Sequence, residues 1–145
     1  MTVEIPEGYG PFAEIDGFIA RNGPYYVKEL EDGSFRYAFQ TSEQHGNPNG
    51  IVHGGAIFSF VDTAFGHLVV QETGRFCATI SITCEYIAGT PVGVLVEAVG
   101  RIKKVTRTMV FADMDVMLED KILMSATCVF KLFGEMPDDM ADLKK

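Results

Sequence analysis

The sequence predicts an α+β domain in which a curved antiparallel sheet wraps one long central helix. Three observations carry this reading. Only residues 55–72 form a stretch apolar and long enough for a central helix. That helix is apolar nearly all round, so it must be covered on most of its sides. The remaining patterned segments are β-like, two before the helix and four after it, and 145 residues is the length of one domain. The domain core is expected over residues 17–134, with loosely ordered ends.

Each element has its own signal. The first fifteen residues are weakly patterned and hold Pro6, Gly8, Gly10 and Pro11, with a short helix expected around 12–15. Residues 17–20 read as the start of a strand, and Arg21-Asn22-Gly23-Pro24 as a turn. Residues 25–30 form a strand. Glu31-Asp32-Gly33-Ser34 is a hairpin turn, since Asp-Gly tolerates positive φ. Residues 35–40 alternate Phe35, Tyr37 and Phe39 with Arg36, Ala38 and Gln40, a half-buried strand. Residues 45–55 are a shaped loop crowded with glycine, asparagine and histidine, which feeds the long helix; Gly74 ends that helix. Four strands follow at 76–86, 94–104, 107–118 and 122–133. The last two are joined by the tight Glu119-Asp120-Lys121 connection. The acidic tail from 135 to 145 is expected to fray.

Composition narrows the function. Hydrophobic residues make up 47% of the chain, enough for a core and against disorder. Twelve basic against twenty acidic residues give a net charge of -8, which disfavours nucleic acid and anionic membrane surfaces as partners. Cys77, Cys84 and Cys128 lie in apolar β-like runs with no metal or redox spacing, so no metal is expected and free thiols in a cytoplasmic protein are. The N-terminus has neither a secretory nor a transit pattern, and residues 56–70 are too short, and too interrupted by Asp62 and His67, to span a membrane.

The chemistry concentrates on the helix. Ser59, Asp62, Thr63 and His67 fall at helical spacing, with Gly66 in line, as a polar stripe on an apolar rod. Asp62 is surrounded by Phe58, Phe60, Val61, Ala64 and Phe65, so its carboxylate needs a partner or a purpose. It either works at a site or hydrogen-bonds a buried group. Gly54 and Gly55 leave the first helical amides open to polarise a carbonyl or hold an anion; close backbone packing is the other reason for such a pair. Gly54 and Asp62 are eight residues apart, roughly 12 Å along the axis. They cannot meet at one small reacting centre within a subunit. Two helices antiparallel about a two-fold axis would bring Gly54 of one copy near Asp62 of the other, which predicts a homodimer with shared sites.

The run His45-Gly46-Asn47-Pro48-Asn49-Gly50-Ile51-Val52-His53-Gly54-Gly55-Ala56, continuing to Val61-Asp62, resembles the signature of the hotdog-fold acyl-CoA thioesterases. The similarity is to the PaaI-like, phenylacetate-type subgroup and covers about residues 25–133. The resemblance implies a hotdog fold that dimerises edge to edge, with tetramers frequent. It implies hydrolysis of an acyl-CoA thioester to an acid and coenzyme A, with no cofactor and no metal. By position it makes Asp62 the catalytic carboxylate, as general base or nucleophile. Gly54 becomes the N–H that polarises the carbonyl. Asn47 becomes the loop amide that orients water or thioester, and His53 the histidine that shapes the loop and contacts substrate. Thr79 matches a hydroxyl position on the following strand, close to the carboxylate.

Thioester hydrolysis needs little more, because a thiolate leaves readily. His45 reads as a turn histidine near the mouth and His67 as structural. Ser59 lacks the nucleophile-elbow pattern of a serine hydrolase. Gly55, Phe58, Val61 and Phe65 are expected at the acyl pocket. Arg101, Lys103, Lys104 and Arg107 place four bases within seven residues, where they could meet the phosphates of coenzyme A or form a solvated hairpin end; Arg101, Lys104 and Arg107 are the contacts expected. Thr106 stands where the family often has glycine before that arginine. Two other readings share the fold: a non-catalytic acyl-ligand binding protein, and an enoyl hydratase or dehydratase.

Overall fold

The structure, a computed structural model, describes residues 4–12 and 16–136. In chain order the elements are β1 (Gly10–Pro11), α1 (Phe18–Asn22), β2 (Tyr25–Glu29), β3 (Phe35–Gln40), α2 (Gly54–Thr73), β4 (Arg75–Tyr86), β5 (Leu95–Val105), β6 (Met109–Leu118) and β7 (Lys121–Glu135), with a single 3-10 turn at Glu43–His45. The seven strands form one antiparallel sheet in the order β1-β2-β3-β5-β6-β7-β4. Helix α2 crosses its concave face. Among the described residues, no helix is long and apolar enough to cross a membrane.

The local signals explain the joints. Gly33 takes a φ of 83° in the β2–β3 turn, and Asp32 Oδ1 accepts the Ser34 amide at 2.9 Å. Gly74 ends α2 with a φ of 67° and donates its N–H to the Val70 carbonyl at 2.7 Å. The β6–β7 hairpin turns through Glu119, at a φ of 54°. Inward-facing Val110, Ala112, Met114 and Val116 of β6 meet Phe60, Val61, Ala64, Phe65 and Val69 of α2 in one core.

Several boundaries differ from the sequence reading. Residues 17–20 do not begin a strand. The edge they would have occupied is taken by β1, where Gly10 pairs with Val27 and Pro11 with Tyr26, and Phe18–Asn22 is helical instead. The helix expected at 12–15 falls on residues 13–15, outside the described residues; Phe12 itself donates its N–H to the Tyr25 carbonyl at 2.9 Å. Arg107 and Thr108 belong to the β5–β6 turn, which the Thr106 hydroxyl closes by accepting the Met109 amide at 2.9 Å. Glu135 still belongs to β7 and Met136 is buried; the rest of the expected frayed tail lies outside the described residues. Ala38 is buried although it alternates with the core residues, because the segment carrying Tyr9 lies across that outer face. The Tyr9 hydroxyl bonds Glu97, Ala38's neighbour on β5, and Lys28 lies over the Tyr9 ring.

Strand β4 is the last in the sheet. It pairs with β7 on one side only, with a register shift between Thr79 and Ser81. Its sequence alternation therefore does not become an inside and an outside: Thr79, Ile80, Ser81 and Tyr86 are all exposed, and Ile80 retains 51% of its surface.

Candidate active site

The polar stripe of α2 divides in two. His67 is about 80° round the helix from Ser59, and it turns inward. The Tyr37 hydroxyl meets its Nδ1 at 2.9 Å, and Phe12 and Phe35 pack edge-on against its ring. Ser59, Asp62, Thr63 and Gly66 stay half-buried on the side next to β4. The Ser59 hydroxyl donates to the Gly55 carbonyl at 2.7 Å, and the Thr63 hydroxyl to the Ser59 carbonyl at 2.8 Å. These two answer to their own helix.

Asp62 reaches outward. Its Oδ1 accepts the hydroxyl of Thr79, from β4, at 2.7 Å. The helix and the following edge strand thus place a carboxylate and a hydroxyl together on an open face. The negative charge is felt nearby. Burial, and secondarily Asp62, push the Cys77 thiol up to about 11. Burial raises Cys128 to about 12, with Asp62 again adding to it. All three cysteines are free thiols. Among the described residues, no group of three or more His, Cys, Asp or Glu side chains could hold a metal ion.

The helix N-terminus is built by His53. Its Nδ1 accepts the Gly55 amide at 2.8 Å, as a capping side chain does for the second helical N–H. That nitrogen is an acceptor, so the ring proton sits on Nε2. One of the two glycine amides expected to be open is therefore capped. The Gly54 amide has no hydrogen-bond partner among the described residues. Asn47 shapes the approach: its Oδ1 accepts the Asn49 amide at 2.9 Å, and its own N–H donates to the Ile51 carbonyl at 2.7 Å. Its side-chain carbonyl is committed to the loop, and its NH₂ is the group left to offer.

A cavity of about 310 Å³ opens beside this terminus, lined by Phe18, Asn22, His45, His53, Gly55 and Ala56 among others. Helix α1 forms one wall, held by the Asn22 amide, which donates to the Ala56 carbonyl at 3.2 Å. His45 is buried, accepting the Ser42 amide on Nδ1 at 2.9 Å and bonding the Asn22 carbonyl through Nε2.

Of the residues expected at an acyl pocket, Gly55 lines this cavity and Phe58 is half-buried. Val61 and Phe65 are not at it. Both are fully buried in the core, Phe65 against Phe130 with ring centroids 6.3 Å apart. Their positions on the helix face the sheet, which periodicity alone does not distinguish from the cavity side. The basic residues lie elsewhere. Arg101 pairs with Asp113 at 2.9 Å. Lys104 and Arg107 are exposed at the far end of β5, where Arg75 joins them by donating to the Arg107 carbonyl at 2.9 Å.

Four contributors have little sequence signal. Asn22 and Phe18 are read as a turn and a strand start when α1 is not foreseen. Arg75 follows the Gly74 cap with no motif around it. Tyr86, at the end of β4, donates its hydroxyl to the Gly54 carbonyl at 2.8 Å; alternation along β4 marks it only as one of a row of apolar residues.

Comparisons with known proteins bear on the family and the fold. The model of a family described as the thioesterase superfamily matches residues 49–125. A Pseudomonas aeruginosa protein provisionally named an esterase is 24% identical over 132 residues, covering 90% of this chain and 98% of that one. Among solved structures, a Streptococcus mutans protein bound to acetyl CoA superposes with a TM-score of 0.74 at 24% identity, covering 86% of this chain and 97% of that chain. The Escherichia coli PaaI protein from the phenylacetic acid degradation operon gives a TM-score of 0.73 at 17% identity, covering 81% and 85%. At these identities the structural likenesses show the fold.

Proposed function

The chain belongs to the thioesterase superfamily and has its hotdog fold, and on that premise we propose that it hydrolyses acyl-CoA thioesters to a carboxylic acid and free coenzyme A. The observation that carries the reading is the Asp62 carboxylate, held by Thr79 at 2.7 Å on a half-open helix face. Thr79 uses its proton on one carboxylate oxygen and leaves the other free to take a proton from water.

In this reading the thioester carbonyl accepts the free Gly54 N–H, which stabilises the charge that develops on its oxygen. The Asn47 NH₂ and the His53 Nε2–H are further donors at the rim. Asp62 removes a proton as water attacks the carbonyl carbon. The carbon–sulfur bond then breaks, and the departing thiolate of coenzyme A takes up the proton that Asp62 removed, which restores the carboxylate. The same carboxylate could instead attack the carbon itself, expelling the thiolate and leaving a mixed anhydride that water opens; in a single turnover in heavy-oxygen water, label in the Asp62 side chain shows this route with water adding at the aspartyl carbon.

One subunit does not complete this site. Gly54 and Asp62 stand roughly 12 Å apart along α2, and β4 presents an open edge beside Asp62. Two copies paired through β4 about a two-fold axis would set Gly54 of one beside Asp62 of the other. The bases at the far end of β5, Lys104, Arg107 and Arg75, are then candidates for the phosphates of coenzyme A. Arg101 has its own acid and is a weaker one. The streptococcal structure bound to acetyl CoA supports a ligand of this class.

The test is thiol release from a panel of aromatic and aliphatic acyl-CoAs. Asp62→Asn is expected to lower kcat by about a thousandfold while the oligomer and fold survive. Wild-type turnover in the Asn variant would remove Asp62 from the reaction. Tight acyl-CoA binding with no turnover by the wild-type protein would replace the hydrolase by a binding protein.

A further inference from the structure

Tyr86 touches the helix terminus in two ways. Its hydroxyl donates to the Gly54 carbonyl at 2.8 Å. Its ring also lies against the Gly54 α-carbon: a Cβ there would be 3.2 Å from Cζ and 3.3 Å from Cε1 and Oη. The peptide joining Gly54 to Gly55 is thereby held at both ends, its carbonyl by Tyr86 and its N–H by His53 Nδ1 at 2.8 Å. The preceding peptide is fixed through His53, whose N–H donates to the His45 carbonyl at 2.7 Å and whose carbonyl accepts the Ala56 amide at 2.9 Å. The Gly54 N–H belongs to that preceding peptide, whose carbonyl is tied, and it has no hydrogen-bond partner among the described residues.

We propose that Tyr86 is a positioning residue: by clamping the Gly54–Gly55 peptide from the edge strand, it sets the direction in which the Gly54 amide is offered to the substrate carbonyl. The same contact gives a reason for glycine at 54 beyond backbone freedom. A Cβ there would require the Tyr86 ring to give by a few tenths of an ångström, which loosens its hold on the Gly54 carbonyl. Tyr86 and Thr79 lie on the one strand, so β4 fixes both the partner of the carboxylate and the peptide that carries the donor. The consequence for turnover rests on the thioesterase reading; the clamp itself does not.

Tyr86→Phe removes the hydroxyl and keeps the ring. In the full-length protein it is expected to lower kcat for thiol release about tenfold, with KM within about twofold of wild type and the melting temperature unchanged. A role in stability alone would move the melting temperature and leave kcat. Gly54→Ala is expected to lose activity by displacing Tyr86, so the double variant should be no slower than Gly54→Ala alone, a non-additivity that independent effects would not give. The amide signals of Gly54 and Gly55 in a 1H–15N spectrum read the clamp without turnover. Tyr86→Phe should shift both and speed hydrogen exchange at Gly55. Unchanged signals, or wild-type kcat in Tyr86→Phe, would overturn the proposal. If the wild-type protein releases no thiol from any acyl-CoA, the thioesterase reading fails, and the amide signals alone decide for or against the clamp.

Discussion

Asp62 lies among Phe58, Phe60, Val61, Ala64 and Phe65 in sequence, yet its carboxylate is half-buried and accepts the Thr79 hydroxyl. A fully buried, unpaired carboxylate would cost several kcal/mol by order of magnitude; partial exposure and one hydroxyl reduce that cost and keep the charge near the surface. Its neighbours register it. Cys77 and Cys128 are pushed up to about 11 and about 12, first by burial and then by Asp62. Both thiols should therefore resist alkylation by iodoacetamide at pH 8 in the native protein and react promptly once urea unfolds it, which mass spectrometry of the two peptides measures. The sign for stability follows. These groups keep their protons longer when folded, so the stability they contribute is fully present below the ordinary thiol value of 9.0. It is lost as pH rises through about 11 for Cys77 and about 12 for Cys128. An urea midpoint that rises between pH 9 and 11 would contradict this.

Helix α2 was readable because its signals are local. An apolar run, a glycine-rich entry and Gly74 at the exit require nothing from the rest of the chain. Gly74 adopts a φ of 67° with nothing within 4 Å of where a Cβ would stand. Gly74→Ala should therefore cost about 1 kcal/mol through backbone strain alone, with thiol release unaffected; a lowered urea midpoint with unchanged kcat checks it. Elements whose identity depends on competition were not readable. Residues 17–20 carry apolar residues that suit a strand, but β1 already occupies the edge of β2, and α1 forms instead. Val61 and Phe65 likewise belong to the helix face the sheet covers, and only the sheet's position says which face that is. Tyr86 was hidden for a related reason: its contact with Gly54 spans 32 residues and joins two elements.

At the scale of the whole molecule, an open edge and the Asp62–Thr79 pair coincide on one side. Strand β4 exposes Ile80 at 51% and Tyr86 at 55%, with Ile87 following at 58%. Long unpaired edges are commonly blunted by charge, proline or a covering element; this one carries charge only near its ends, at Arg75 and Glu85, and borders Asp62. Pairing through it in a two-fold dimer would satisfy both the edge and the site. Ile80→Lys should then convert the assembly to monomers, read as mass by light scattering, and lower thiol release by about a hundredfold, because the two halves of the site would part. A monomeric variant with full activity would show that one subunit suffices.

The sequence by itself determined the fold class, the single central helix and its two ends, and the residue types able to polarise a carbonyl and activate water. Those follow from periodicity, from glycine where the backbone must turn, and from the rarity of polar groups on an apolar helix. Only the tertiary structure decided that His53 caps Gly55 and leaves Gly54 uncapped, that Tyr86 holds the peptide between them, and that Val61 and Phe65 serve the core. Each of these is a contact between elements distant in the chain or a choice between two faces of one element. Such choices depend on which surface the sheet covers, and that is fixed only when the sheet closes around the helix.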